Sequence, residues 1–309
     1  MQSSAAPAAS GTSRGALWPG LVLAFSGAIA FSGKAIIIKL SYRYGVDAVT
    51  LIMYRMLFAL PIFLAMAWWA SRGKPPLTGR DWAGVAGLGF SGYYLASFLD
   101  FLGLQYITAS LERLILYLNP TLVLLLGWLL YGRPWTRVQG IGMAISYVGV
   151  VLVFGVEAQM AGSNVVLGVL LVFASTVCYA VYMVYSGELV RRLGSLRLVG
   201  LATSVACLCC IVQFLALRPV SVALAVAPEV VWLSLLNAVA GTAVPVLLVM
   251  MAIERIGAAL TSQTGMIGPL ATILLGVWLL GEPFTVWVAG GTALVIAGIF
   301  VFTRGAARG

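Results

Sequence analysis

The stretch FLGLQYITASLERLILYLNPTLVLLLGWLLYGRP, residues 101–134, decides the fold because it is long, apolar and present twice. A shift of 149 positions places it on residues 250–283 without a gap. The shift superposes two prolines and two glycines on residues of the same type: Pro120 on Pro269, Pro134 on Pro283, Gly127 on Gly276 and Gly132 on Gly281. The chain therefore contains two copies of one design, and each copy has a proline inside an apolar segment.

Composition places the whole chain in a membrane. Of its 309 residues, 62% are hydrophobic and only 9% are charged, and the mean hydropathy is +1.06. Soluble domains carry about 25% charged residues. Backbone groups in lipid must bond to each other, which leaves helices or a closed barrel. The continuous apolar runs match helices of about 20 residues better than barrel strands of about 10. We therefore expect an all-α integral membrane protein.

Ten transmembrane helices are predicted from the apolar runs and from the turn residues and charges between them. Their approximate bounds are 17–39, 49–70, 82–104, 108–131, 137–155, 166–187, 197–217, 229–252, 258–280 and 285–303. Five helices fall in each copy. The predicted units are a disordered tail over 1–16, a first repeat over 17–155, a second repeat over 166–303 and a tail over 304–309.

The basic residues predict the orientation. With the N-terminus inside, the inner side holds 12 of the 18 lysines and arginines and the outer side holds 4. This bias places both termini in the cytoplasm. An odd number of helices per copy makes the second repeat enter from the opposite face, as in secondary transporters whose substrate site lies between inverted repeats. Pro120 and Pro269, which interrupt matching helices, are the candidate hinges.

Several classes of function fit the sequence poorly. The chain has no histidine, and its four cysteines are dispersed in apolar runs, so we expect neither a metal site nor another cofactor. The net charge of +9 is explained by cytoplasmic loops rather than by nucleic-acid binding. The sequence shows no nucleophile–base pair of the kind that a membrane enzyme would need. Inverted repeats give no clear advantage to a static scaffold. A transporter of a small molecule, surrounded by lipid, is favoured.

Polar and aromatic side chains inside the predicted helices are candidates for a substrate cavity. Three of them, four and three residues apart, share one face of the sixth helix. The full set is Tyr94, Ser97, Asn119, Ser175, Tyr179, Tyr182, Asn237 and Gln263. Packing between helices is the alternative for the hydroxyl-bearing residues, and anchoring at the membrane interface is the alternative for Tyr94.

Five charged residues lie at a similar depth near the outer ends of the first four helices: Lys34, Arg55, Asp100, Glu112 and Arg113. Such charges are costly in a membrane, and they pair or face a cavity. We interpret them as a network that gates the cavity or attracts a zwitterion. In the competing interpretation, the side chains of Lys34 and Arg55 extend to the membrane interface. No carboxylate lies at mid-helix, which favours a facilitator over a proton antiporter and leaves coupling through Asp100 or Glu112 open.

The two five-helix halves, over about 17–303, resemble the drug/metabolite transporter superfamily, in particular its EamA-type branch. The resemblance lies in Ala258-Ala259-Leu260, Gly268-Pro269 and Leu279-Leu280-Gly281-Glu282-Pro283-Phe284. The first copy departs from the pattern, because Arg133 stands where the second has Glu282. Tyr93-Tyr94, Phe98-Leu99-Asp100, Glu112-Arg113 and Tyr117-Leu118-Asn119-Pro120 further resemble YddG-type exporters.

That resemblance implies a bacterial inner-membrane exporter of amino acids, aromatic and other neutral ones, or of related metabolites. An exporter of cationic or diverse drugs is the alternative from the same superfamily. Small residues in the fifth and tenth helices suggest a homodimer surface there. They are Gly142, Ser146, Ala289, Ala293 and Ala297.

Overall fold

The computed structural model describes residues 14–132, 135–161, 164–265 and 267–306. It folds into helices that we number α1 Arg14–Tyr42, α2 Ala48–Ser71, α3 Gly79–Gly103, α4 Ala109–Tyr131, α5 Arg137–Ala161, α6 Asn164–Leu193, α7 Ser195–Leu217, α8 228–265, α9 Gly268–Leu280 and α10 Val286–Ala306. A short helix, Val220–Leu224, joins α7 to α8. The ends of the predicted tails, 1–13 and 307–309, lie outside the described residues.

Nine of these helices are long and apolar enough to cross a membrane, as far as the described residues extend, and α9 is a shorter apolar helix. The predicted boundary between the eighth and ninth helices was wrong. Helix α8 continues through the predicted break at residues 253–257 and ends at Gly265. The residues that follow the predicted break, Ala258-Ala259-Leu260, are strong helix formers. The interruption falls instead beside Gly268-Pro269, because proline cannot continue a helix and restricts the residue before it.

The two copies break their helices at matching positions. Helix α4 consists of two segments, Ala109–Leu116 and Asn119–Tyr131. The second segment begins at the position that corresponds to the start of α9. The second segment of α4 and helix α9 each end at a glycine with positive φ, +62° at Gly132 and +71° at Gly281. This left-handed conformation suits glycine at a helix C-terminus. The repeat seen in the sequence is therefore also a repeat of backbone geometry.

A second pair of irregular segments follows the same register. Helix α3 contains a π-helical turn at Gly89–Leu95, and α8 contains one at Val239–Ala243. A shift of 149 residues carries Gly92 onto Gly241 within these turns. Single π-helical turns inside α-helices are often found at functional sites.

Helices of one half pack mainly against helices of the other. Helix α1 packs along α8, and its counterpart α6 packs along α3. Helix α2 packs along its own counterpart α7, and α5 packs along α10. When the two halves exchange places, the pairs α1–α8 and α6–α3 replace each other, and the other two pairs are unchanged. The core of the protein is therefore the interface between the halves.

Small residues bring α5 and α10 into backbone contact. A Cβ added at Gly142 would lie 2.6 Å from the carbonyl oxygen of Gly298, and Gly149 and Gly291 are as close to each other. The hydroxyl of Ser146 donates to the backbone within the same contact. Gly142 and Ser146 are thus buried inside the chain, whereas Ala293 and Ala297 on α10 remain exposed. The predicted homodimer through these helices stays a prediction.

The contact between α5 and α10 predicts a large cost for a single methyl group. We expect Gly142→Ala to lower stability by about 1–3 kcal/mol, because the new Cβ meets backbone atoms that cannot move aside. The matched control is Gly155→Ala on the same helix, where no atom lies within 4 Å of the new Cβ. Thermal unfolding of the purified variants measures the effect, and equal midpoints for the two variants would contradict it.

Candidate functional site

A cavity of about 960 Å³ lies between the two halves. Residues from all ten helices line it. Its walls extend from Lys34, Arg55 and Asp100 at one end to Gln139 and Phe302 at the other, where α5 begins and α10 finishes. Of the residues predicted from the sequence, the lining includes Ser97, Asn119, Pro120, Ser175, Tyr179, Lys34, Arg55, Asp100 and Arg113.

The five predicted charges meet at one end of this cavity, and we refer to Lys34, Arg55, Asp100, Glu112 and Arg113 as the charge cluster. Lys34 Nζ lies 2.6 Å from Asp100 Oδ2. Arg113 donates to the carbonyl of Phe31, at 2.7 Å, and to the hydroxyl of Thr272, at 2.9 Å. Four helices of the first half therefore contribute to one buried group of charges, and α9 of the second half holds one of them in place.

Arg55 is buried and does not extend to a membrane interface. Its side chain is 5% exposed and donates through Nε and Nη2 to the Thr242 hydroxyl, at 3.2 and 3.0 Å. The guanidinium also lies over the ring of Phe101, 5.2 Å from its centroid. Nη1 has no hydrogen-bond partner among the described residues. Arg55 is thus fixed in position with one donor group unused.

The acids of the cluster are buried more completely than their positions along the helices suggested. Glu112 is 0% exposed and Asp100 is 2% exposed. Glu112 is the fourth residue of α4, so it is not at mid-helix, yet it faces the interior. The cluster therefore contains two buried acids although neither lies at mid-helix, and they are the two acids through which coupling was left open. Within the described part of the chain, Asp100 Oδ1 and both carboxyl oxygens of Glu112 lack a hydrogen-bond donor.

The two helix interruptions touch each other beside the cavity. The hydroxyl of Tyr117, at the break in α4, donates to the carbonyl of Gly265, where α8 ends, at 2.6 Å. A Cβ on Gly268 would lie 2.3 Å from the same hydroxyl, so only glycine fits there. Pro120 and Pro269 each stand at the start of a new segment, where the missing N–H removes no helical hydrogen bond. Their role as hinges stays a prediction.

Aromatic rings form one wall of the cavity. Tyr93 and Tyr179 line it, and Tyr182 lies behind them, 5% exposed. The hydroxyls of Tyr93 and Tyr182 are 3.3 Å apart, and the rings of Tyr179 and Tyr182 stack with centroids 5.6 Å apart. Ser175 lies on the same helix and donates to the carbonyl of Ala96 at 2.6 Å. The predicted face of α6 therefore contributes both lining and packing.

Two other predicted cavity residues lie elsewhere, and the side chain of a third is not described. Tyr94 packs between the rings of Phe90 and Phe98 and is not among the lining residues of the described part. Asn237 is buried behind the wall, and its carbonyl accepts a hydrogen bond from the Thr242 hydroxyl at 2.9 Å. Gln263 belongs to α8, but its side chain lies outside the part that the structure describes.

A second set of polar interactions surrounds the N-terminal end of α4, next to the charge cluster. Glu282 accepts hydrogen bonds from the backbone N–H groups of Ala109, at 2.7 Å, and Ser110, at 3.2 Å. Glu157 accepts them from the backbone and side chain of Thr108. Lys39 donates to two carbonyls of the loop between α3 and α4. We name Lys39, Glu157 and Glu282 the cap cluster. Arg133, the counterpart of Glu282, lies outside the described residues.

Sequence reasoning missed some residues that the structure places at the site. Thr242 is the counterpart of Tyr93 under the 149-residue shift, and both line the cavity. The repeat could therefore have identified Thr242 once Tyr93 was chosen. Glu157 and Lys39 carry no comparable signal, because their partners are distant in the sequence and are mostly backbone groups.

Comparisons with known proteins agree with this architecture. A family model described as the EamA-like transporter family matches residues 18–155 and 166–304. The uncharacterized transporter YcbK of Bacillus subtilis is 28% identical over 298 residues, which is 91% of this chain and 92% of YcbK. An uncharacterized transporter of Archaeoglobus fulgidus is 25% identical over 283 residues, 88% of this chain and 99% of its own. A protein crystal structure with 20% identity superposes with a TM-score of 0.63 and covers 94% of this chain and 97% of its own, which shows the fold.

The cap cluster predicts that Glu282 holds the first turn of α4 in place. We expect Glu282→Ala to lower stability by about 1.5–3 kcal/mol, because charge-assisted hydrogen bonds to two backbone N–H groups are lost. Hydrogen exchange at Ala109 and Ser110 should accelerate in the same variant. Glu229→Ala is the control, since Glu229 is an exposed acid in the first turn of α8. Unchanged exchange at both amides in Glu282→Ala would refute this role.

Proposed function

Because the chain belongs to the EamA-like transporter family, we propose that it is a secondary transporter that exports neutral amino acids, aromatic ones included, or related small metabolites. Transport rather than catalysis is the role shared by its named relatives. The substrate would occupy the cavity between the two halves and pass by alternating access. The cavity has room for a small amphipathic molecule.

The proposed topology is ten crossings in two inverted repeats of five, with both termini in the cytoplasm of a bacterial inner membrane. The excess of basic residues on one side supports this orientation. The exchange-symmetric pairing of the helices supports a two-fold relation between the halves. In this orientation the end of the cavity near Gln139 and Phe302 faces the cytoplasm, and the cap cluster lies on the outer side.

One observation carries the choice of an amino acid. Arg55 has an unused donor at Nη1, and Asp100 has an unused acceptor at Oδ1, among the residues that the structure describes. Both residues line the same cavity. A zwitterion offers a carboxylate for the guanidinium and an ammonium for the carboxylate, so it would satisfy both buried groups at once. The tyrosines of the opposite wall offer a surface for an aromatic or aliphatic side chain.

An exporter of cationic drugs is the second candidate. The buried carboxyls of Asp100 and Glu112 favour it, because acids in a membrane protein attract cations. However, Lys34, Arg55 and Arg113 surround these acids and would repel a cation that has no negative group of its own. The balance of charge in the cavity therefore favours a zwitterion.

Reconstitution into liposomes tests the proposal. We expect vesicles that contain the purified protein to release trapped, labelled L-phenylalanine or L-threonine faster than protein-free vesicles do. The same vesicles should retain trapped cationic dyes. Release of cationic dyes without release of any amino acid in a panel would reverse the ranking of the two candidates.

The same assay tests the role of Arg55. We expect Arg55→Gln to reduce export at least about tenfold, because loss of one charge-assisted hydrogen bond to substrate costs about 1.5–3 kcal/mol. The matched control is Arg80→Gln, since Arg80 is an exposed arginine in the first turn of α3. Equal rates for both variants, with both proteins folded, would remove Arg55 from the substrate site.

A further inference from the structure

Glu112 has an unusual environment for a buried acid. It lies on the segment Ala109–Leu116 and is 0% exposed. Neither carboxyl oxygen accepts a hydrogen bond from a described residue, although its neighbour Arg113 is charged. Arg113 instead directs its guanidinium to Thr272 and Phe31. A buried ionised carboxylate without a donor is strongly disfavoured.

The neighbour of this carboxyl is a second carboxyl. The side chain of Glu112 lies against that of Asp100, whose Oδ2 is taken by Lys34 at 2.6 Å. Ionised carboxylates only accept hydrogen bonds, so two of them in contact repel each other. With one proton between them, the contact becomes a hydrogen bond and the repulsion ends. A proton is therefore the ligand that completes this pair.

The groups around the pair come from several helices and include three cations. They are Lys34 and Tyr42 from α1, Arg55 from α2, Asp100 itself from α3, Arg113 from α4, and Glu157 and Glu282 at the N-terminal end of the Glu112 segment. The last two acids bind backbone groups there. Lys34 donates to Asp100, whereas Arg55 and Arg113 donate to hydroxyl and carbonyl groups, so none of the three cations donates to Glu112.

We propose that Asp100 and Glu112 form a shared proton-binding site, and that the proton and the substrate's ammonium group compete for it. This coupling rests on the proposed export of amino acids. The ammonium would bind at Asp100 Oδ1, the oxygen that Lys34 leaves unused. When it binds, the pair releases its proton; when the substrate leaves on the outer side, the pair takes up a proton from there.

Competition for one site means that proton and substrate are never bound together. The empty pair would be two ionised carboxylates in contact, and in this scheme that costly state does not cross. Each outward crossing of a substrate is therefore followed by the return of a proton. A zwitterion has no net charge, and each cycle therefore moves one positive charge inward. An inside-negative membrane potential and an inward proton gradient both drive export in this scheme.

Infrared spectroscopy of the full chain in liposomes tests the proton site without any substrate. We expect the wild-type protein to show the carbonyl band of a protonated carboxyl at neutral pH. The band should disappear in Glu112→Gln and remain in Glu229→Gln, an exposed acid that serves as the matched control. Glutamine has the shape of the protonated acid, so folding should persist, and Asp100→Asn is a second variant. A band that is absent from the wild type, or present in both cluster variants, would overturn the site.

A pH-sensitive dye trapped inside vesicles loaded with labelled L-phenylalanine or L-threonine tests the coupling. We expect the lumen to acidify as the wild-type protein releases the amino acid, and an inside-negative potential to accelerate release. Glu112→Gln should abolish the acidification, whereas Glu229→Gln should not. Release without acidification in the wild type would overturn the coupling and leave the proposed function standing. Release of neither amino acid would overturn the proposed function and the coupling together, and the infrared result would still decide the proton site.

Discussion

The hydrogen bond from the Tyr117 hydroxyl to the carbonyl of Gly265 joins the interruption of α4 to the interruption between α8 and α9. An interrupted helix at membrane depth leaves polar backbone groups without helical partners. Such backbone is tolerated only where it is buried in protein or lines a cavity. The Tyr117 hydroxyl at one interruption bonds to a carbonyl at the other. Gly268 allows this contact because it has no side chain. This contact lies beside the cavity and joins α4 of the first half to α8 and α9 of the second.

The charge cluster is the costly part of the same arrangement. Removing several charges from water is expensive, and well-packed apolar residues often serve stability equally well. Here Lys34 is paired with Asp100 and Arg55 with Thr242, yet one donor of Arg55 and both oxygens of Glu112 lack partners among the described residues. A cluster built for stability alone would complete these bonds. In the proposed transport cycle, the substrate and a proton would complete these bonds in turn.

The sequence predicts the repeat, the helix interruptions and the convergence of the charges, because proline, glycine and buried charge have strong local consequences. It does not predict which face of α4 Glu112 occupies, since depth along a helix says nothing about rotation around it. For the same reason Tyr94 and Tyr182 were expected in the cavity, whereas the structure packs them beside or behind its wall. The continuation of α8 to Gly265 was missed because Glu254-Arg255 resembles a loop, although the following residues favour a helix.

The charge cluster and the cap cluster are connected through a single helical turn. Glu282 holds the N–H groups of Ala109 and Ser110, and Glu112 follows within the same turn. The segment Ala109–Leu116 is short and ends at the interruption beside Tyr117. Because Glu112 and the two N–H groups that Glu282 binds belong to one turn, a shift of Glu112 toward or away from Asp100 would also move those N–H groups. In the proposed cycle, occupancy of the carboxyl pair would therefore be linked to the contacts of the cap cluster.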